Sequence, residues 1–293
     1  MNASLARCAV AMGLLCGQSL AGAQISVRDD RGAVIVLPAS PQRIVSLLPS
    51  LTESVCALGG CARLVGTDRF SNSPAAVVAL PKLGGLEDSQ IERIAALKPD
   101  VVLAAPSARV TDRLEALGFK VLVLESRDHA DVRRSLTVLA QLLGAPDEAE
   151  QVWRRIEREL NHAARSVPAQ LRGQRVYFEI DATPFAAGAS SFIGETLARL
   201  GMRNAIPAEL GPFPKLNPEY VLRIQPDIVM AVDRSLSDMR RRPGWASLRA
   251  LQQHRTCGFD GAHYELLVRP GPRMGEAAGA LADCLVALGK VNR

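Results

Sequence analysis

The residues of this 293-residue chain that could do chemistry are few and scattered. His129, His162, His254 and His263 lie far apart, without the H-x-x-x-H spacing or acidic companions that hold zinc, so no metal site is expected. No G-x-S-x-G elbow is present, and neither G-x-G-x-x-G nor G-x-x-x-x-G-K-[ST] follows a strand. The chain is therefore not expected to be an enzyme or to carry a cofactor. What remains is binding chemistry. In a chain only 4% aromatic, Phe70, Phe185 and Phe213 fall in predicted loops. Pro49, Ser50, Leu86, Ala105, Asp260, Tyr264, Arg269 and Arg273 join them near predicted strand ends, where open α/β folds collect ligands.

A second kind of candidate is paired. I-E-R-I-A-A-L-K-P-D-V-V-L-A at 91–104 and P-E-Y-V-L-R-I-Q-P-D-I-V-M-A at 218–231 match at Glu92 and Glu219, Ile94 and Val221, Leu97 and Ile224, Lys98 and Gln225, the Pro-Asp pairs and the four apolar residues after them, which predicts two lobes of similar build. Each copy reads as a short amphipathic helix, a Pro-Asp stop and a buried strand. Lys98 and Gln225 precede the prolines and should leave helical dihedrals. Glu92 and Glu219 sit in the first helical turns. There they either complement the helix dipole or form two matched acidic knobs for a partner.

The elements that must position these residues alternate strand and helix throughout, which argues for mostly parallel sheets covered on both faces. The first lobe runs over 24–144 and begins with a hairpin; Ser50 or Thr52 is the capping candidate for a helix at 51–58. A linking segment at 145–170 holds a helix over 147–167, long enough to act as a strut, and the second lobe occupies 171–293. Residues 181–191 read as a loop. A hydrophobic fraction of 48%, 22% charged residues and a net charge of +5 describe a soluble globular chain. Arg240-Arg241-Arg242 is the only basic run and reads as a solvated loop, so no nucleic-acid partner is expected.

Residues 1–23 resemble a secretory signal: a basic start, an apolar stretch too short to span a bilayer and a small-residue cleavage site before Gln24. Export implies an oxidising compartment. Of the cysteines then left, Cys56 and Cys61 flank a Gly-Gly turn and are the favoured bridge, with Cys257–Cys284 second; inert buried thiols are the alternative.

Taken together, R-I-V-S-L-L-P-S-L-T-E at 43–53, L-V-G-T-D-R-F-S-N-S-P at 64–74, P-F-A-A-G at 184–188 and both repeat copies resemble the periplasmic substrate-binding proteins of cobalamin, haem and ferric-siderophore ABC importers. The cobalamin-binding members are the nearest, and the resemblance spans residues 40 to 290. It implies a class III fold: two Rossmann-like α/β lobes joined by one long helix, with little hinge closure. The implied function is a periplasmic monomer that binds cobalamin between its lobes and delivers it to an ABC permease and its ATPase. Haem or a ferric siderophore is the alternative cargo, with His263 or Tyr264 as the iron ligand for haem.

Within that family one acidic residue per lobe docks on arginine pockets of the permease, and the matching positions are Glu92 and Glu219. Ligand-contacting aromatics fall on Phe70, Phe213 and Phe185, and a cleft arginine on Arg269. The chain departs from the cobalamin-binding members where two tryptophans have no counterpart, near Leu86 and at Ala105, which makes its cleft less aromatic. Cys284 matches a disulfide cysteine whose usual partner position is not Cys here.

Overall fold

Runs such as Val101-Val102-Leu103-Ala104 are apolar on both faces, a pattern that suits a parallel strand covered on both sides. The computed structural model, which describes residues 24–182 and 184–291, places these runs in two sheets. The expected signal peptide, with Cys8 and Cys16, lies outside the described residues.

The first lobe opens with an antiparallel hairpin, β1 (Ile25–Arg28) and β2 (Val34–Leu37). It continues through β3 (Ile44–Ser46), α1 (Pro49–Ala57), β4 (Leu64–Thr67), α2 (Ile91–Ala96), β5 (Val101–Ala104), α3 (Thr111–Ala116), β6 (Val121–Val123) and α4 (His129–Leu143). Its sheet has the order β4-β3-β5-β6, all parallel. Helix α5 (Glu148–Ser166) then leads to the second lobe.

There β7 (Arg175–Asp181), β8 (Phe185–Ala186), α6 (Phe192–Arg199), β9 (Arg203–Asn204), α7 (Pro218–Ile224), β10 (Ile228–Val232), α8 (Asp233–Met239), α9 (Arg249–Gln252) and β11 (Thr256–Phe259) follow. Helices α10 (Gly261–Leu267) and α11 (Met274–Val291) close the chain. The second sheet runs β11-β10-β7 in parallel, with β9 parallel on β7 and β8 antiparallel beside it.

The repeated segment is the same device in both lobes. Asp100 Oδ2 accepts the backbone N–H groups of Gln42 and Arg43, both at 2.8 Å, at the entrance to β3. The Arg43 guanidinium donates back to the carbonyls of Leu97 and Lys98, the otherwise orphaned end of α2. In the second lobe Asp227 Oδ2 accepts Arg175 N–H at 2.8 Å, and Arg175 donates to the carbonyls of Ile224 and Gln225. Lys98 and Gln225 leave the helical region, taking left-handed φ values of 45° and 43° rather than the extended conformation usual before proline. Because both helix C-termini are tied to strand starts, both N-termini lie at the opposite end, where the strands finish.

Helix α5 is amphipathic: Ala149, Val152, Trp153, Ile156, Leu160 and Ala163 are buried, with charges between them. They belong to one apolar core that also holds Leu136 and Leu139 of α4, Leu197 of α6 and Leu281 and Leu285 of α11. The two lobes therefore share a continuous interior across the strut. Smaller clusters lie on the outer face of each sheet, around Ile94 and Leu114 in one and Val221 and Trp245 in the other.

Both favoured disulfides are present, Cys56–Cys61 and Cys257–Cys284, the second joining β11 to α11. Among the described residues no helix is long and apolar enough to cross a membrane.

Some local expectations need correcting. Helix α1 starts at Pro49, and neither Ser50 nor Thr52 caps it; its first turn has no side-chain cap. The loop read at 181–191 contains β8, held to β7 by pairs such as Glu179 with Ala186. Arg242 is not part of a solvated run. It makes a two-pronged bond to the buried Glu179 carboxylate, at 2.6 and 2.8 Å, and lies 4.7 Å from the Trp245 ring centre. A carboxylate buried in a strand demands such a partner.

Candidate functional site

The finishing ends of the strands face one another across a cavity of about 1200 Å³. The first lobe contributes Leu48, Pro49 and Ser50 after β3, Phe70 after β4, Ala105 to Ser107 after β5 and Leu124 to Arg127 after β6. The second lobe contributes Ile180 and Asp181 at the end of β7, Phe185 on β8, Phe192 and Ile193 at the start of α6, Phe213, and Glu265, Val268, Arg269 and Pro270 around the end of α10. This is where parallel sheets place ligand sites, because the chain leaves each strand there and must turn.

Phenylalanine dominates the walls. Phe70 is 58% exposed and Phe185 37%, unusual for side chains of that size. Phe213 packs against Phe192 with ring centres 5.8 Å apart. Phe192 escaped the sequence reading, as did Glu125, Ser126 and Arg127. The signal that would have found the last three is their place just after β6, the same rule that selected Phe70. Ser50 is 3% exposed, and its hydroxyl makes no hydrogen bond.

Four sequence candidates, Leu86, Asp260, Tyr264 and Arg273, do not line this cavity. Leu86 packs partly buried against the outer cluster of the first lobe. Asp260 is the N-cap of α10, accepting His263 N–H at 2.8 Å, and its other oxygen lies 3.0 Å from the His263 ring. Tyr264, within α10, donates its hydroxyl to the Ile180 carbonyl; burial, with nearby Asp181 and Glu179 adding to it, pushes the phenol up to about 12.

Both rims of the cleft are bridged. On one side Phe192 N–H donates to the Arg127 carbonyl at 2.7 Å. There too His129 N–H donates to Glu195 at 2.7 Å, and its ring Nε2 lies 2.9 Å from Thr196 Oγ1. Burial holds the His129 imidazole below its ordinary value, against the pull of Glu195. On the other side Arg269 Nη1 donates to Glu53 at 3.2 Å and to Asn72 at 2.7 Å. Arg273 lies 3.8 Å from the same Glu53 carboxylate. Burial is the largest influence on Glu53 and raises it above the ordinary carboxylate value, although both arginines oppose this.

The Phe70 loop rests on a buried polar chain. Thr52 donates to Ser46, Ser71 donates to Thr52 and to Asp68, and Asp68 accepts Phe70 N–H at 2.7 Å. Lys82 Nζ ties the loop's base to Ser71 O and Val77 O. Glu92 and Glu219 are both solvent-exposed, at the N-terminal ends of α2 and α7 and hence on the cleft side of their lobes.

Comparison with known proteins agrees with this architecture. A periplasmic binding protein family model matches residues 44–260. An uncharacterized ABC transporter substrate-binding lipoprotein of Bacillus subtilis is 25% identical over 89% of this chain and 85% of its own. A vitamin B12-binding protein of Pectobacterium atrosepticum is 26% identical, covering 85% of this chain and 90% of that one. The crystal structure of a periplasmic heme binding protein from Pseudomonas aeruginosa superposes with a TM-score of 0.72 at 27% identity, over 84% of this chain and 93% of that one. With two α/β lobes joined by a single long helix and a cavity between them, the chain belongs to the periplasmic binding protein family and has its class III fold.

Proposed function

We propose that this protein is the periplasmic receptor of an ABC importer and that its cargo is a cobalamin-type corrinoid. The observation that carries this reading is the lining of the cavity. Its volume of about 1200 Å³ exceeds the roughly 300–1,000 Å³ of sites for drug-sized ligands. Phenylalanine, aliphatic and proline side chains form most of its wall, and its charged groups are three carboxylates, Glu125, Asp181 and Glu265, and two arginines. Such a lining suits a large chelate that brings its own axial ligands and wraps apolar edges around its metal.

The alternatives are less well served. Haem iron calls for a protein donor such as the His or Tyr considered above. His263 is engaged with Asp260 and Tyr264 with the carbonyl of Ile180, and neither side chain is among the residues that line the cavity. A strongly anionic ferric siderophore would meet three carboxylates, with Arg127 and Arg269 already ion-paired. The similarity to a vitamin B12-binding protein supports the corrinoid reading. Ser50, Phe70, Phe185 and Phe213 are the expected ligand contacts. Exposed Glu92 and Glu219 are the expected docking points for permease arginines, where a charge-assisted, two-pronged contact fixes register as well as affinity.

Thermal unfolding of the mature protein with cyanocobalamin, hemin or a ferric siderophore tests the cargo. Cyanocobalamin is expected to raise the melting temperature in proportion to the logarithm of its concentration, since it binds only the folded state. A rise with hemin and none with saturating cyanocobalamin would overturn the reading.

A further inference from the structure

We propose that Arg269 is a positioning residue: its guanidinium locks the second lobe onto the Phe70 loop of the first and so aims the Phe70 ring into the cavity. The inference deepens the corrinoid-receptor reading and rests on it for the affinity measurements below.

Arg269 follows α10 in the second lobe, yet most of its partners belong to the first. Nη1 donates to Glu53 of α1 and to Asn72, and Nη2 donates to the Phe70 carbonyl at 3.0 Å and to Glu265 at 2.8 Å. Asn72 completes the ring by donating to Glu265 at 2.9 Å. Both terminal nitrogens are thus committed, and the side chain is 10% exposed.

The consequence falls on Phe70. Its N–H is held by Asp68 from its own lobe, and its carbonyl by Arg269 from the other. With both backbone polar groups fixed, little freedom remains except about χ1 and χ2. The ring edge also rests close to Gly85, where an added Cβ would stand 3.2 Å from Phe70 Cε2. Three constraints therefore hold an aromatic side chain in a half-solvated position that burial alone would not fix.

The choice of arginine follows from the geometry. A planar fork can reach a carboxylate, an amide oxygen and a backbone carbonyl together, which a single ammonium cannot. A buried ion pair such as Glu53–Arg269 adds little net stability, because desolvation offsets the attraction, but it can select one arrangement of the two lobes.

A double-mutant cycle on cyanocobalamin affinity, with hydrogen exchange of the ligand-free protein, tests the proposal. Arg269→Lys is expected to weaken binding about tenfold in the wild-type background and to have no further effect in Phe70→Ala. Exchange of the amides at 69–73 should speed up in Arg269→Lys, while that of β10 stays unchanged. Asn72→Ala, which leaves no buried charge unpaired, should change both readouts in the same direction and by less. Additive losses in the cycle would mean that Arg269 touches the cargo directly and would overturn the proposal, as would unchanged exchange at 69–73. If the wild-type protein fails to bind cyanocobalamin, the cargo reading falls, and the exchange measurement alone decides the role of Arg269.

Discussion

Asp227 accepts the backbone N–H of Arg175, and the Arg175 side chain returns to cap the helix that ends just before Asp227. One carboxylate and one guanidinium thus join the entry of β7 to the end of α7. Removing either leaves backbone groups without partners. Asp227→Ala should cost about 1–2 kcal/mol in urea unfolding, and Asp100→Ala about the same in the other lobe. A loss below 0.3 kcal/mol at both positions would make the repeated Pro-Asp pair incidental.

Phe70 and Phe213 should separate binding from stability. Phe70 is 58% exposed, so Phe70→Ala is expected to weaken cyanocobalamin binding by about tenfold or more with little change in melting temperature. Phe213 packs on Phe192 and the shared core, so Phe213→Ala should lower both. Isothermal titration and thermal unfolding on the same samples distinguish the two.

Glu92 and Glu219 are exposed, so reversing their charge should leave folding within about 0.5 kcal/mol of wild type. Ligand affinity should also be unchanged in Glu92→Arg with Glu219→Arg, while uptake through the cognate importer is abolished. Wild-type uptake by that double variant would make both side chains ordinary surface.

His129 gives a pH signature. Burial lowers its folded pKa below the unfolded value near 6.5, so between the two values the unfolded chain binds more protons. Stability from neutral His129 is therefore present above about pH 6.5 and is lost as the pH falls toward the folded pKa. Glu53, whose folded pKa is raised, acts in the opposite sense: its contribution is full below the unfolded carboxylate value and is lost as the pH rises. Melting temperatures at pH 7.5 and 5.5 for wild type and His129→Gln isolate the histidine. The wild type should fall further on acidification than the variant.

The Cys257–Cys284 bridge closes a sequence separation of 27, and replacing both residues with alanine should cost about 3–4 kcal/mol. The Cys56–Cys61 bridge spans only 5 and should contribute less. Urea unfolding of each double variant, with and without reductant, gives the order.

Much of the fold was legible because its signals are local. Continuous apolar runs fixed the strands, the Pro-Asp pairs fixed two helix ends, and the spacing of Val152, Ile156 and Leu160 showed the strut. The misses were also local in origin. Helix α10 begins at Asp260, whose side chain caps the helix rather than facing a ligand, and β8 is only two residues long and too short for a period to show. The cavity walls were legible after β3 and β5, at Pro49, Ser50 and Ala105, but not after β6, where Glu125, Ser126 and Arg127 went unread. The rims were not. Arg269 meets Glu53 across 216 residues of sequence and Arg242 meets Glu179 across 63, and no periodicity relates such pairs.

Because α5 lends its apolar stripe to an interior that both halves occupy, neither half is a finished object. A polypeptide severed after Gly144 would present bare leucines of α4 on one fragment and the uncovered flank of α5 on the other. The two pieces would be expected to clump or to reunite, and mixing them after separate expression should restore cargo capture where neither alone retains it.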